Sequence, residues 1–351
     1  MGRTNPRQKI LDEYIEGLKN KEIEYVPRGE NEHPINWSKY DEAQVNELRD
    51  MLVHIRDVVD VAVMRLDLEE TKAERGRPPY PAGDLAKGIL LQQYFEVPNR
   101  VAAGFVDLFK EKLGIESSYS YKTLERAYDD PHVIMILREV FKMTQEPVRD
   151  EEKNFAPDGT GIPTALSVNW ARDSEDNEKK YEFLSMIAMM GASHHLISAV
   201  EFPDNPAAHE SPYFEPLLKG TDTSYTSIGK VSGDAAYLSR DNCDLVESLG
   251  GTPRFYPKEG ITLKMRGSSG AWTDMLLDFI DDPQQWLRDY HSRSNAESVF
   301  SAFKRKFLAP LRKFLHLRRK AEAFTRVCDY NLRRLAQLRR LKNIKVPWLL
   351  N

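Results

Sequence analysis

From Asp41 to Leu66 apolar residues recur at helical spacing, through Val45, Leu48, Leu52, Ile55, Val58, Val59, Val61 and Ala62. That periodicity predicts a long amphipathic helix opening on Asp41-Glu42-Ala43-Gln44-Val45. Gly76-Arg77-Pro78-Pro79-Tyr80-Pro81 breaks it. A second helix is expected from about Gly83 to Phe95. Val97-Pro98-Asn99-Arg100 then makes a turn, a third helix runs to Leu113, and Ser118 to Leu124 leads into a fourth. Residues 1–150 therefore read as a helical domain. Its short helices and polar turns are compatible with a helix-turn-helix, and they fit many all-helical domains equally well.

The pattern changes at Asn154. Phe155-Ala156-Pro157-Asp158-Gly159-Thr160-Gly161 reads as a short strand ending in a turn. Tyr181 to Glu201 reads as two apolar strands broken near Gly191-Ala192-Ser193, and Ile228 to Asp234 as a strand ending in a carboxylate. Asp241–Leu249 looks helical, Thr252–Pro257 extended, and Gly267-Ser268-Ser269-Gly270 a loop. Strands and helices alternate here, so the fold class is mixed α+β. From about Thr273 the chain is helical almost to its end, with Pro283 and Pro310 as breaks.

One helical stretch separates two kinds of residue. With Trp286–Phe307 placed on a helix at about 100° per residue, Tyr290, Arg293, Glu297 and Lys304 fall within about 60° of arc. Ala296, Val299, Phe300, Phe303 and Phe307 form a separate apolar face fit for burial.

Composition adds charge asymmetry to this picture. Residues 1–150 carry 22 Lys+Arg against 28 Asp+Glu, residues 151–297 carry 13 against 24, and residues 298–351 carry 15 against 2. The basic end suits a polyanion, and the acidic middle would attract divalent cations. Cys243 and Cys328 are too few for a disulfide framework or a four-cysteine zinc site, so both are expected as reduced thiols. No run approaches the roughly 18 apolar residues of a membrane helix, and Met1–Arg7 lacks a signal core, so cytoplasmic residence without membrane association is expected.

The spacing Tyr290-x2-Arg293-x3-Glu297-x6-Lys304, within the run Tyr290 to Phe307, resembles the YREK signature of a group of bacterial and archaeal insertion-sequence transposases. Asp158-Gly159-Thr160-Gly161 resembles that family's first catalytic block and Ser232 to Asn242 its second. Gly76–Pro81, Thr123-Leu124-Glu125-Arg126 and Asp329 to Leu335 are similar to its N-terminal domain and closing helix. The resemblance implies an RNase H-like catalytic core at residues 151–308, with a mixed β-sheet flanked by helices. An all-helical domain at 1–150 precedes it, and a basic helical tail at 309–351 follows.

It also implies function. The expected activity is DNA cleavage at an element's terminal inverted repeats and strand transfer into target DNA, with Asp158, Asp234 and Glu297 as catalytic carboxylates and metal ligands. Such chemistry activates one oxygen and stabilises another, a task for two divalent ions, and hard ions such as Mg²⁺ or Mn²⁺ take carboxylate ligands. Asp222 and Asp241 stand as rivals for the second position. Arg293 and Lys304 are expected to contact phosphates, Tyr290 the DNA backbone, and Arg305, Lys306 and the basic tail further phosphates. The enzyme is expected to self-associate in a DNA-bound synaptic complex near the nucleoid of a prokaryotic cell. A catalytically silent DNA-binding descendant and an RNase H-like nuclease are the alternatives. His209-Glu210 and Trp286 are left outside the site, the first as an incidental loop pair and the second as a buried aromatic.

Overall fold

A computed structural model describes residues 5–26, 36–68, 79–167, 181–205, 207–264 and 270–349. In chain order the helices before the first strand are α1 (Pro6–Lys19), α2 (Trp37–Val45), α3 (Glu47–Leu66), α4 (Ala82–Phe95), α5 (Asn99–Leu113), α6 (Tyr121–Ala127) and α7 (Pro131–Met143). Then follow β1 (Phe155–Ser167), β2 (Tyr181–Gly191), β3 (Ile197–Glu201), α8 (Phe214–Asp222), β4 (Lys230–Gly233), α9 (Arg240–Ser248) and β5 (Thr252–Phe255). The chain closes with α10 (Gly270–Asp281), α11 (Pro283–Tyr290), α12 (Ser294–Lys306) and α13 (His316–Lys342).

The five strands form one sheet in the order β3-β2-β1-β4-β5. It is mixed: β2 pairs antiparallel with β3, whereas β1 pairs parallel with β4 and β4 parallel with β5. Met186 to Met190 of β2 are all at most 1% exposed, as in a strand covered on both faces. With helices around it, this sheet is the mixed α+β core expected from the sequence.

The chain divides into two compact units, each drawn from separate stretches. One comprises residues 1–34, 149–160 and 186–301. Within it α1 packs on α10, where Tyr14 meets Phe279 edge-on at 6.0 Å, and Leu263 donates its N–H to the Gln8 side chain at 2.8 Å. The other comprises residues 35–148, 161–185 and 302–351, and there α13 packs on α2, α3, α4 and α7. Here α1 belongs to the same unit as most of the sheet, and the basic C-terminal helix is a core member of the helical unit. The reason is burial. Ala323, Val327, Cys328, Leu332, Leu335 and Leu338 of α13 are fully buried, a stripe that a free-standing tail would expose.

Caps set the local boundaries. Asp130 accepts from the N–H groups of His132 and Val133 ahead of Pro131 to start α7, and Asp282 accepts from Gln285 ahead of Pro283 to start α11. The predicted long helix over 41–66 is two helices, α2 and α3, divided at Asn46, and Val45 and Leu48 of its apolar stripe are exposed. Gly76 to Pro78 and Gly267 to Ser269 lie outside the described residues, so the breaks expected there are not described.

Two local expectations are corrected. Asp158-Gly159 does not turn, because β1 continues through both to Ser167. Its glycines serve close approach instead: a Cβ on Gly159 would lie 2.1 Å from Glu210 Oε1, and one on Gly161 3.1 Å from the Phe183 ring. The helix predicted over 286–307 is interrupted by a 3₁₀ turn at His291–Arg293. Ser292 and Ser294 donate their hydroxyls back to the carbonyls of Asp289 and His291, both at 2.8 Å, tightening the chain there.

Candidate active site

Strand register brings the first two carboxylates together. Phe155 of β1 is paired in parallel with Val231 of β4, and three residues further along each strand stand Asp158 and Asp234. Asp158 lies within β1 and Asp234 one residue past the end of the adjacent β4, and both side chains are partly buried. Asp234 follows the end of β4 in a tight turn, its Oδ1 accepting from the Ala236 N–H at 2.8 Å and its carbonyl from the Tyr237 N–H at 3.1 Å.

Burial pushes the Asp158 carboxyl up from the ordinary 3.8 to about 6, and the like charges of Glu210 and Asp234 add to the rise. A hydrogen bond from the Gly159 N–H at 3.0 Å and the Arg293 guanidinium oppose it. Negative charge is thus concentrated here and only partly offset.

The helical side of the site is built by α11, the 3₁₀ turn and the start of α12. Trp286 is 2% exposed, and the Tyr290 ring stacks on it with centroids 5.4 Å apart and planes 13° apart. Tyr256 touches the same Tyr290 ring at 5.2 Å, and burial pushes the Tyr290 hydroxyl up to about 12, so it stays a neutral phenol. Arg293 hydrogen-bonds that hydroxyl and donates to Glu297 Oε1 at 2.7 Å. Burial weakens the guanidinium's hold on its proton, but Tyr290, Glu297 and Asp158 outweigh that effect. Asn295 ties the start of α12 to the β2–β3 turn by donating to the Ala192 carbonyl at 2.8 Å.

Asp158, Asp234, Tyr290 and Arg293 are therefore clustered, and Glu297 reaches the cluster through Arg293. Glu297 itself is exposed, its carboxylate engaged by that arginine. Among the described residues no three His, Cys, Asp or Glu side chains stand close enough to hold a metal ion. The rivals Asp222 and Asp241 lie at the last residue of α8 and in the first turn of α9. Ala296, Val299, Phe300, Phe303 and Phe307 are all buried, as the two-faced pattern predicted.

The basic residues divide. Lys304 and Arg305 are exposed on α12. Lys306 instead lies 3.9 Å over the Tyr94 ring and 4.0 Å from Glu47. In the following segment Arg312 donates to the Glu96 carbonyl at 2.8 Å, buried Lys313 pairs with Glu125 at 2.7 Å, Arg318 with Asp129 at 2.7 Å, and Arg319 with Glu182 at 3.1 Å. Much of the basic end is therefore committed to holding its own unit together.

Sequence reasoning left Glu210 outside the site, as one of an incidental loop pair with His209. Its side chain stands against Gly159 and takes the Tyr237 hydroxyl on Oε2 at 2.7 Å. The one trace of this in the sequence is the glycine after Asp158, which read there as a turn signal.

The sequence model of the transposase DDE domain family matches residues 151–332. A probable transposase for insertion sequence element ISA1214 from Archaeoglobus fulgidus is 24% identical over 303 residues, covering 85% of each chain. Among solved structures, the piggyBac transposase synaptic complex with hairpin DNA covers 86% of this chain and 80% of its own, at 12% identity and a TM-score of 0.37.

Proposed function

The chain belongs to the DDE-domain transposases, and from that membership we propose that it cuts DNA at the terminal inverted repeats of an insertion sequence and joins the freed 3′-hydroxyl to target DNA. The family match carries this reading, because residues 151–332 include Asp158, Asp234 and the Tyr290–Lys304 motif. The archaeal relative with the insertion-sequence name supports the choice of element.

Asp158, Asp234 and Glu297 are the catalytic carboxylates in this proposal. The donor set fits a hard divalent cation such as Mg²⁺ or Mn²⁺: it is all oxygen, and Asp158 is raised by burial, with the like charges of Glu210 and Asp234 adding, which a positive ion would relieve. When bound, two such ions supply activation of the attacking oxygen and stabilisation of the leaving oxygen. Asp158 and Asp234 offer oxygens from adjacent strands. Glu297 joins them when Arg293 exchanges it for a DNA phosphate, which a planar guanidinium grips with two parallel hydrogen bonds. Tyr290, clamped between Trp286 and Tyr256, holds a neutral hydroxyl beside Arg293 for the DNA backbone. Lys304 and Arg305 add phosphate contacts outward along α12. The helical N-terminal domain, residues 1–150, supplies end binding, and self-association brings two ends together.

The test uses purified protein, Mg²⁺ and a plasmid carrying the inverted repeats that flank the gene. Nicked or joined products are expected from the wild type. Asp158→Asn, Asp234→Asn and Glu297→Gln should each lower product by at least about 100-fold, on the order seen when catalytic groups are lost. Undiminished product from these variants would refute the carboxylate assignment.

A further inference from the structure

We propose that Glu210 is a positioning residue that braces the Asp234 turn against the Asp158 strand through the Tyr237 hydroxyl; this rests on the reading of Asp158 and Asp234 as the paired carboxylates. Three observations meet at this side chain. First, its own backbone is fixed where it leads into the turn at Ser211–Tyr213, the Glu210 carbonyl accepting from the Tyr213 N–H at 2.9 Å. Second, Oε1 occupies the space where residue 159 would carry a Cβ, 2.1 Å from it, so only glycine after Asp158 lets the carboxylate lie against β1. Third, Oε2 accepts the Tyr237 hydroxyl at 2.7 Å.

Tyr237 transmits the position. Its side chain is buried, its ring packs 5.8 Å from Phe214, and Asn242 donates to its carbonyl at 2.7 Å. Its N–H donates to the Asp234 carbonyl. A buried phenol needs an acceptor, and losing it costs more than the hydrogen bond itself returns. The path Gly159–Glu210–Tyr237–Asp234 is therefore a closed mechanical link between the two strands that present the carboxylates. Residues that orient ligating carboxylates typically change metal affinity by about 10- to 100-fold when removed.

The experiment titrates the full-length protein with Mn²⁺ alone by calorimetry and follows nicking of the inverted-repeat plasmid in parallel. The variants are Glu210→Ala, Glu210→Gln, Tyr237→Phe and the Glu210→Ala/Tyr237→Phe double, with thermal melting to confirm folding. Each of Glu210→Ala and Tyr237→Phe should weaken Mn²⁺ binding roughly 10-fold, the double no further than either, and Glu210→Gln should retain most affinity because its amide oxygen still accepts from the phenol. Additive losses, or a silent Tyr237→Phe beside a Glu210→Gln as harmful as Glu210→Ala, overturn the brace. Unchanged binding in both single variants overturns it as well. Should Glu210→Ala not fold, Tyr237→Phe against Glu210→Gln decides alone. Asp158→Asn and Asp234→Asn serve as the separate control: if both bind Mn²⁺ and nick like wild type, the catalytic reading has failed, whatever the Glu210 variants do.

Discussion

Arg293 shows why a residue type matters as much as its charge. One planar group hydrogen-bonds Tyr290 and Glu297 while its charge acts on Asp158, which a lysine, a point charge on a flexible stem, would not reproduce. Residue identity was also what the sequence disclosed best, since Asp158, Asp234 and the Tyr290–Lys304 spacing lie in local motifs. Glu210 lies in none, because its contacts to Gly159 and Tyr237 arise only when strands and loops assemble. At the same scale, His54 makes the chain acid-sensitive. It sits fully buried on α3 with its ring edge-on to Trp348 at 5.3 Å, and burial pushes the imidazole from 6.5 down to about 4. The folded state keeps it neutral while the unfolded chain takes up a proton near pH 6.5. Stability from this group is full above pH 6.5 and is lost as pH falls through 4, by up to about 3 kcal/mol. Melting curves between pH 7.5 and 4 should show His54→Leu with a visibly flatter acid decline than wild type. Parallel declines would reject histidine as the source.

At the scale of elements, apolar runs foretold β2 to β5 closely, because strands packed under helices leave a plain signature. Two elements read differently for one reason: glycine and serine carry more than one structural use. Gly159 permits a close approach inside a strand, and Ser292 and Ser294 bend a helical path without ending it. That bend places Arg293 at the end of the 3₁₀ turn and Glu297 in the first turn of α12, so the entry of α12 governs the site. The Asn295 bond to the Ala192 carbonyl fixes that entry. Asn295→Ala should cost about 1 kcal/mol and lower the melting temperature by roughly 2–4 °C. Nicking should fall by more than that stability loss accounts for at a temperature where the variant is fully folded. A variant that melts lower yet nicks at the wild-type rate would show that α12 is held at its start by other contacts.

For the whole molecule, the excess of positive charge after residue 297 is divided between assembly and binding, a division invisible to a count of lysines and arginines. Arg340 donates to Asp50 at 2.8 Å and to Glu42 at 2.9 Å, and Arg333 to Glu47 at 2.7 Å, so these cations neutralise acids of α2 and α3. The sequence placed this charge in a separate tail because the acids it answers lie some 290 residues earlier in the chain. DNA affinity should then respond to salt less steeply than 15 basic residues suggest. In the proposed reading Lys304, exposed on α12, contacts phosphate, whereas Arg340 is paired with Asp50. Binding to inverted-repeat duplex measured from 50 to 300 mM salt separates them. Lys304→Ala should reduce the slope of log affinity against log salt by about 1 and leave the melting temperature unchanged. Arg340→Ala should do the reverse: the slope stays, while melting falls because Asp50, 6% exposed, loses its two hydrogen bonds from the guanidinium. If Arg340→Ala flattens the slope as Lys304→Ala does, the C-terminal helix meets DNA directly, and its ion pairs exchange for phosphates on binding.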